Sequence, residues 1–244
     1  MYMIKLRVIK IFDIHFLDTD FENIKNLFQN GILIVFPAAP ALINIFKDKE
    51  YHKSLKSADF ALFDSGYLCL LLKLLKGVYV KKFSGLKFLK SFFLNFDNND
   101  KLFLINPDKF NSIKNTEYLK SIKINNIYNY VAPIYKDEKV EDKDILLKLN
   151  QLKPMYVLIN LGGGVQEKLG FYLKKKLDYK PNIICTGAAI AFLTKQQAYI
   201  PSFIDKFYLG WFFRILFSPK VYFKRYFKSF KLFKIILNTN IKVL

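Results

Sequence analysis

The sequence predicts an α/β fold: a mostly parallel sheet with helices on both faces, plus a helical C-terminal appendage. Three observations carry this. Short apolar runs of strand length recur along the first 200 residues, and helical periodicity fills the gaps between them. The chain has 244 residues, 52% of them hydrophobic and 24% charged, enough for one large buried core. The charge pattern changes near Pro201: nine basic residues and no acidic one follow Asp205. The expected organisation is an α/β domain over 1–200 and a basic, aromatic appendage over 201–244.

Taken in order, residues 4–11 read as the first strand. Asp18-Thr19-Asp20-Phe21-Glu22 follows, with apolar residues at Phe21, Ile24, Leu27 and Phe28. The Thr19-x-x-Glu22 spacing predicts a capping box opening a helix that ends near Gly31. ILIVF at 32–36 is a short strand, and a helix follows over about 40–46. DFALF at 59–63 is a strand ending at Asp64-Ser65-Gly66, before an apolar helix over 67–75. LFLI at 102–105, MYVLINL at 155–161 and NIIC at 182–185 read as buried strands, and the charge-rich segment 136–149 as a surface loop entering a helix. Strands that are apolar throughout and alternate with helices belong to a parallel sheet covered on both sides.

Composition removes several function classes. Cys69 and Cys185 lie far apart, which excludes a disulfide scaffold and favours a reducing compartment. His15 and His52 are the only imidazoles, and no His/Cys cluster has metal-site spacing. Asp18-Thr19-Asp20 matches the Asp-x-Asp of metal-dependent sugar transferases, but the capping box accounts for it, so neither a metal nor a cofactor is expected. The apolar run 31–46 is shorter than the roughly 18 residues of a membrane span and contains Pro37 and Pro40. The charged N-terminus lacks a signal-peptide core. The expectation is a cytoplasmic protein with peripheral membrane contact. A net charge of +19 calls for an anionic partner: nucleic acid, an anionic membrane surface, or a phosphorylated substrate.

In a Rossmann-like sheet, ligands bind beyond the carboxyl ends of the strands. That singles out Asp64, Asn106, Gly162, Gly163, Gly164, Thr186 and Gly187. Asp64 can project its carboxylate into a crevice as a general base, or it can cap the helix that starts near Tyr67. The three glycines of LGGGVQEKLG let backbone amides approach an anionic or planar ligand. The turn is neither a Walker A loop nor a dinucleotide fingerprint. Gln166 and Glu167 open the next helix, where an acid also suits the helix dipole.

In the tail, Pro219 separates two helices or starts the second. From there Lys220, Lys224, Lys228 and Lys231 share one helical face, and Tyr222, Phe223, Tyr226, Phe230 and Phe233 the neighbouring one. A basic face beside an aromatic face suits an interfacial membrane helix. Core packing and single-stranded nucleic acid are the competing uses of such a stripe. Two of the three arginines, Arg214 and Arg225, also lie here. Arginine suits bidentate binding of phosphate.

Together these pieces resemble the WecG/TagA/CpsF glycosyltransferases, glycosyltransferase family 26, in order along most of the chain. KDKEYHKSLKSADFALFDSG (47–66) looks like the segment leading into the family's Asp-Gly motif, and VKKFSGLKFL (80–89) like its Arg-x-x-Gly-x-Asp-Leu stretch. LGGGVQEKLG (161–170) looks like Gly-x-Pro-x-Gln-Glu. TGAAIAFLTKQQAYIPSF (186–203) and LGWFFRILFSPKVYFKRYF (209–227) look like the region ending in Glu-Trp-x-x-Arg…Pro…Arg-Tyr. The resemblance implies metal-independent, inverting transfer of an N-acetylmannosamine-type sugar. The donor would be a UDP-sugar and the acceptor a polyprenyl-diphosphate-linked amino sugar, in cell-surface polysaccharide synthesis at the inner face of the membrane. It puts Asp64 on the catalytic aspartate, Gln166 and Glu167 near the donor nucleotide, and Arg214 on a tail arginine that neutralises the leaving diphosphate. Lys220 and Arg225 stand near a later tail arginine, whose own place is Val221.

Several family positions differ. Phe36 and Ala38 stand where the family has Thr-x-Asn. Lys82 and Lys87 replace its Arg and Asp, Gly164 its Pro, Ala191 an Asp, and Tyr199 an Arg. These departures motivate a second reading, a catalytically lapsed member acting as a membrane scaffold. A basic nucleic-acid-binding protein is a third and less favoured one, because it leaves Asp64 and the glycine turn idle. A homo-oligomer is compatible with the sequence.

Overall fold

The computed structural model describes residues 6–28, 31–135, 139–194, 216, 223 and 227–244. Among the described residues its sheet has nine strands: β1 Arg7–Ile11, β2 Ile14–Asp18, β3 Leu33–Val35, β4 Phe60–Leu62, β5 Leu102–Asn106, β6 Ile127–Val131, β7 Tyr156–Ile159, β8 Asn182–Cys185 and β9 Ile241–Val243. Their order is β6-β5-β7-β8-β3-β4-β2-β1-β9. The seven strands from β6 to β2 run parallel, while β1 is antiparallel to both β2 and β9. The expected mostly parallel sheet is therefore present.

The inner strands β3, β4, β5, β7 and β8 are largely apolar because both faces are covered. Along β5, Phe103 and Ile105 enter one core, and Leu102 and Leu104 the other. The first core is roofed by helices α2 Ala39–Leu42, α3 Lys49–Ser57, α4 Gly66–Lys76, α7 Lys143–Leu152 and α8 Val165–Lys176. The second is roofed by α1 Phe21–Lys25, α5 Gly85–Leu94, α6 Lys109–Ser121 and the short α9 Ile190–Leu193. Aromatic packing concentrates there: Phe88 stacks on Phe92 at 5.8 Å and meets Phe36 at 5.1 Å.

Several local expectations change. The first helix begins one residue later than the capping box predicts. Extended Asp20 caps it, its carboxylate accepting from the Asn23 N–H, while the Thr19 hydroxyl is buried without a partner. The α-helix ends at Lys25, well before Gly31. The β1–β2 hairpin turns through Phe12 and Asp13, at φ 56° and 61°. Both sit in the left-handed region that a two-residue hairpin needs, without the Asn-Gly signal that usually announces it. Strand β6 is a half-exposed edge with Asn129 in its middle, so no apolar run marks it.

The C-terminus joins the sheet. Helix α10, Lys231–Leu237, packs on α4 through Leu232 and Ile236, both fully buried in the first core. Strand β9 then pairs with β1, Ile241 opposite Ile11 and Val243 opposite Ile9. This part of the expected appendage is thus built into the α/β unit. The reason is an apolar i, i+4 pair on a helix whose other residues are largely exposed.

Candidate active site

The carboxyl ends of the parallel strands converge on one edge of the sheet. Within the second half, the chain passes from β5 outward to β6 and returns to β7 on the other side of β5. This reversal opens a crevice. A cleft of about 270 Å³ lies there, lined by Pro107, Asn111, Asn115, Asn160, Ala188, Ile190 and Ala191. These residues follow β5, β7 and β8 or sit on the helices those strands lead into.

Asp64 follows β4 and is partly buried. It does not cap the helix after it: Ser65 does, its hydroxyl accepting from the Leu68 N–H at 3.2 Å. Asp64 Oδ1 instead accepts the Gly85 N–H at 2.9 Å, in the first turn of α5. Its Oδ2 has no hydrogen bond among the described residues. Gly85 connects Asp64 to the end of β8, on the far side of β3. A Cβ at Gly85 would lie 3.3 Å from Thr186 and Ala189, so only glycine fits that approach without displacing neighbours.

Beyond β8 the chain turns at Thr186 and Gly187. The Thr186 hydroxyl is buried and unpartnered. Gly187 adopts φ 61°, and its N–H donates to Gln166 Oε1 at 2.6 Å. Gln166 Nε2 in turn donates to Glu167 Oε1 at 3.1 Å, and Glu167 Oε2 accepts the Gly164 N–H at 2.6 Å. Gln166 and Glu167, 2% and 0% exposed, therefore brace the β8 turn against the glycine turn from inside. Burial raises the Glu167 carboxyl from its ordinary value of 4.5 to about 7, opposed by hydrogen bonds from its own N–H, the Gly164 N–H and the Gln166 amide.

In the glycine turn, Gly164 N–H is committed to Glu167, and the N–H groups of Val165 and Gln166 point back to Gly162 O at 3.2 Å each. Gly162 and Gly163 are exposed, and their N–H groups carry no hydrogen bond among the described residues. Open space lies beside Gly162 and Gly164, whereas a Cβ on Gly163 would sit 3.2 Å from Ala41. The turn can take an anion on two backbone amides.

Asn106 lies beneath the cleft and does not line it. It is fully buried, its oxygen accepting the amides of Asn115 at 2.7 Å and Asn160 at 3.2 Å. Sequence reasoning missed Asn111, Asn115 and Asn160 in the cleft wall. The signal was present: Asn111 and Asn115 are four apart on the helix after β5, and Asn160 immediately follows β7.

The sequence model of the Glycosyl transferase WecG/TagA/CpsF family matches residues 9–243, nearly the whole chain. The chain belongs to that family. It is therefore a glycosyltransferase of cell-surface polysaccharide synthesis, acting on a sugar donor and an acceptor. No curated protein matches it. Among the described residues no helix is long and apolar enough to cross a membrane.

The departures from the WecG/TagA/CpsF pattern have visible places. Phe36 is turned into the aromatic cluster against Phe88, so that position serves packing. Ala191 lines the cleft with a methyl group. Lys87 is exposed, with its ammonium 5.7 Å from the Phe83 ring centre, and Lys82 is half-buried. Arg214, Lys220, Lys224, Arg225 and Tyr199 lie outside the described residues. Lys228 and Lys231 are described and exposed. Beside them Phe223, Phe227, Phe230 and Phe233 are 58%, 65%, 50% and 46% exposed.

Proposed function

We propose that this transferase moves an N-acetylmannosamine-type sugar from UDP to a polyprenyl-diphosphate-linked amino sugar, with inversion and without a metal. The observation that carries the reading is Asp64. One of its oxygens is anchored on the Gly85 amide and the other carries no hydrogen bond among the described residues, at a strand end that Gly85 ties to the Thr186–Gly187 turn. A carboxylate held in this way is oriented to take the proton of the acceptor hydroxyl as that oxygen attacks the anomeric carbon from the face opposite UDP. The departing diphosphate gains negative charge. The Gly162 and Gly163 amides lie at the same edge of the sheet, and Arg214 is the side chain we assign to that charge.

The acceptor is a lipid, so the enzyme works at the inner surface of the membrane. The exposed phenylalanines of 223–233, flanked by Lys228 and Lys231, support a docked interfacial face, with Lys220, Lys224 and Arg225 continuing it.

The test is transfer by the full-length protein from UDP-N-acetylmannosamine to a lipid-linked N-acetylglucosamine acceptor. Asp64→Asn is expected to lower the rate by about 10²–10⁴-fold, the usual worth of a general base, while UDP still binds. Transfer at the wild-type rate by Asp64→Asn removes Asp64 from the mechanism.

A further inference from the structure

The cleft at the β5–β7 reversal has a wall whose hydrogen-bonding polarity is fixed by a relay of amides. A backbone carbonyl only accepts, so Thr116 donates its hydroxyl to Ser112 O at 2.8 Å. Its Oγ1 is then the acceptor for Asn129 Nδ2 at 3.0 Å. Asn129 Oδ1 must therefore face Asn106, whose Nδ2 donates to it at 3.1 Å. Asn106 Oδ1 accepts in turn, and takes the amides of both Asn115 and Asn160. No amide in the chain can be reversed without setting two donors or two acceptors against each other.

The relay leaves Asn115 and Asn160 with unpartnered Oδ1 atoms in side chains 1% and 4% exposed, on the lining of the cleft. A third carbonyl joins them at the rim. Asn111 Nδ2 donates to the carboxylate of Asp108 at 2.7 Å, and its Oδ1 carries no hydrogen bond among the described residues. The remaining lining is Pro107, Ala188, Ile190 and Ala191, with no cation among them.

We infer that this cleft binds a hydroxyl-rich sugar ring, with Asn115 and Asn160 as its specificity-determining acceptors. Buried carbonyls without partners demand ligand donors. A diphosphate offers only acceptors, and no cation stands among the described lining residues to receive it. A pyrimidine imide offers one N–H flanked by two carbonyls, which would oppose the second asparagine. A ring with adjacent hydroxyls supplies several O–H donors, and the cleft has room for one such ring. The ring is either the ribose of the donor nucleotide or the transferred hexose. The inference deepens the proposed UDP-sugar reading and rests on it for the identity of these two rings.

The experiment is calorimetric titration of full-length protein with UDP, 2′,3′-dideoxy-UDP and N-acetylmannosamine. The wild type is compared with Asn115→Leu, Asn160→Leu and Thr116→Val, each checked for folding by thermal melting. If ribose occupies the cleft, UDP binds the wild type roughly tenfold or more tightly than the dideoxy analogue, and both leucine variants abolish that difference. If the hexose occupies it, N-acetylmannosamine binding carries the tenfold loss. Thr116→Val touches no ligand and acts only by freeing the relay to reverse, so it lowers the same preference. Should the leucine variants not fold, the analogue pair on the wild type and Thr116→Val still decide. UDP bound equally by all four proteins, with no preference over the dideoxy form and no asparagine-dependent hexose binding, overturns the inference and leaves the nucleotide reading standing. Asparagine-dependent hexose binding without any UDP binding does the reverse. No binding by any probe overturns both.

Discussion

Gln166 and Glu167 are adjacent polar side chains almost without solvent contact, and together they tie the glycine turn to the turn after β8. Gln166→Leu keeps the volume but strands the buried Gly187 N–H. A loss of about 1–3 kcal/mol in urea unfolding is expected, together with weaker UDP binding because the turn loosens. Glu167 has a pH signature. Its folded value of about 7 lies above the unfolded 4.5, so between those values the folded protein holds a proton that the unfolded chain has released. Stability contributed at this position is therefore greatest below about pH 4.5, falls as pH rises to about 7, and is flat beyond. Between pH 5 and pH 8 the wild type should lose about 2–3 kcal/mol relative to Glu167→Gln, which carries no such proton. Parallel stability curves for the two proteins would show that the carboxyl does not titrate in this window.

Helix α10 shows how one element serves two faces. Leu232 and Ile236 are fully buried against α4, while Phe233 and Leu237 are half-exposed beside them. Leu232→Ala or Ile236→Ala should cost about 2–5 kcal/mol of stability, the usual price of a core cavity. Phe227→Ser with Phe233→Ser should leave the melting temperature nearly unchanged and reduce co-sedimentation with anionic vesicles. Undiminished vesicle binding by that double variant would place the membrane face elsewhere. Truncation after Pro201 is a poor test of the same idea, because it also deletes β9 and uncovers the β1 edge. Elements with a strong local pattern were legible in the sequence. The buried strands β3, β4, β5, β7 and β8 read as apolar runs because both of their faces are covered. The β1–β2 hairpin did not, because its left-handed turn uses Phe12 and Asp13. For the candidate site, the position of Asp64 and of the glycine turn just after strands was legible. The asparagine wall was not, because its chemistry depends on which amide faces which, and that is fixed only by Thr116 and Ser112 in the folded chain.

Charge is spread unevenly along the chain. The described cleft lining contains no cation, although the chain carries +19, and 39 residues at the C-terminus hold nine basic groups and no acid. Such a division suits an enzyme whose donor has a neutral sugar part and whose acceptor is anchored in an anionic layer. The division has a measurable consequence. Each lysine near an anionic leaflet contributes about 1 kcal/mol, an effect confined within a Debye length of about 8 Å at physiological ionic strength. Lys228→Gln and Lys231→Gln should thus each weaken binding to phosphatidylserine-containing vesicles about fivefold, with the loss shrinking as salt is raised and absent on neutral vesicles. UDP affinity should be far less sensitive to these two changes, since neither lysine lines the cleft. A nucleic-acid-binding protein would behave differently: a single-stranded oligonucleotide would compete with the vesicles, and its own affinity would fall steeply with salt. Oligonucleotide competition at physiological salt, without UDP binding, would reassign the basic tail from a membrane to a nucleic acid.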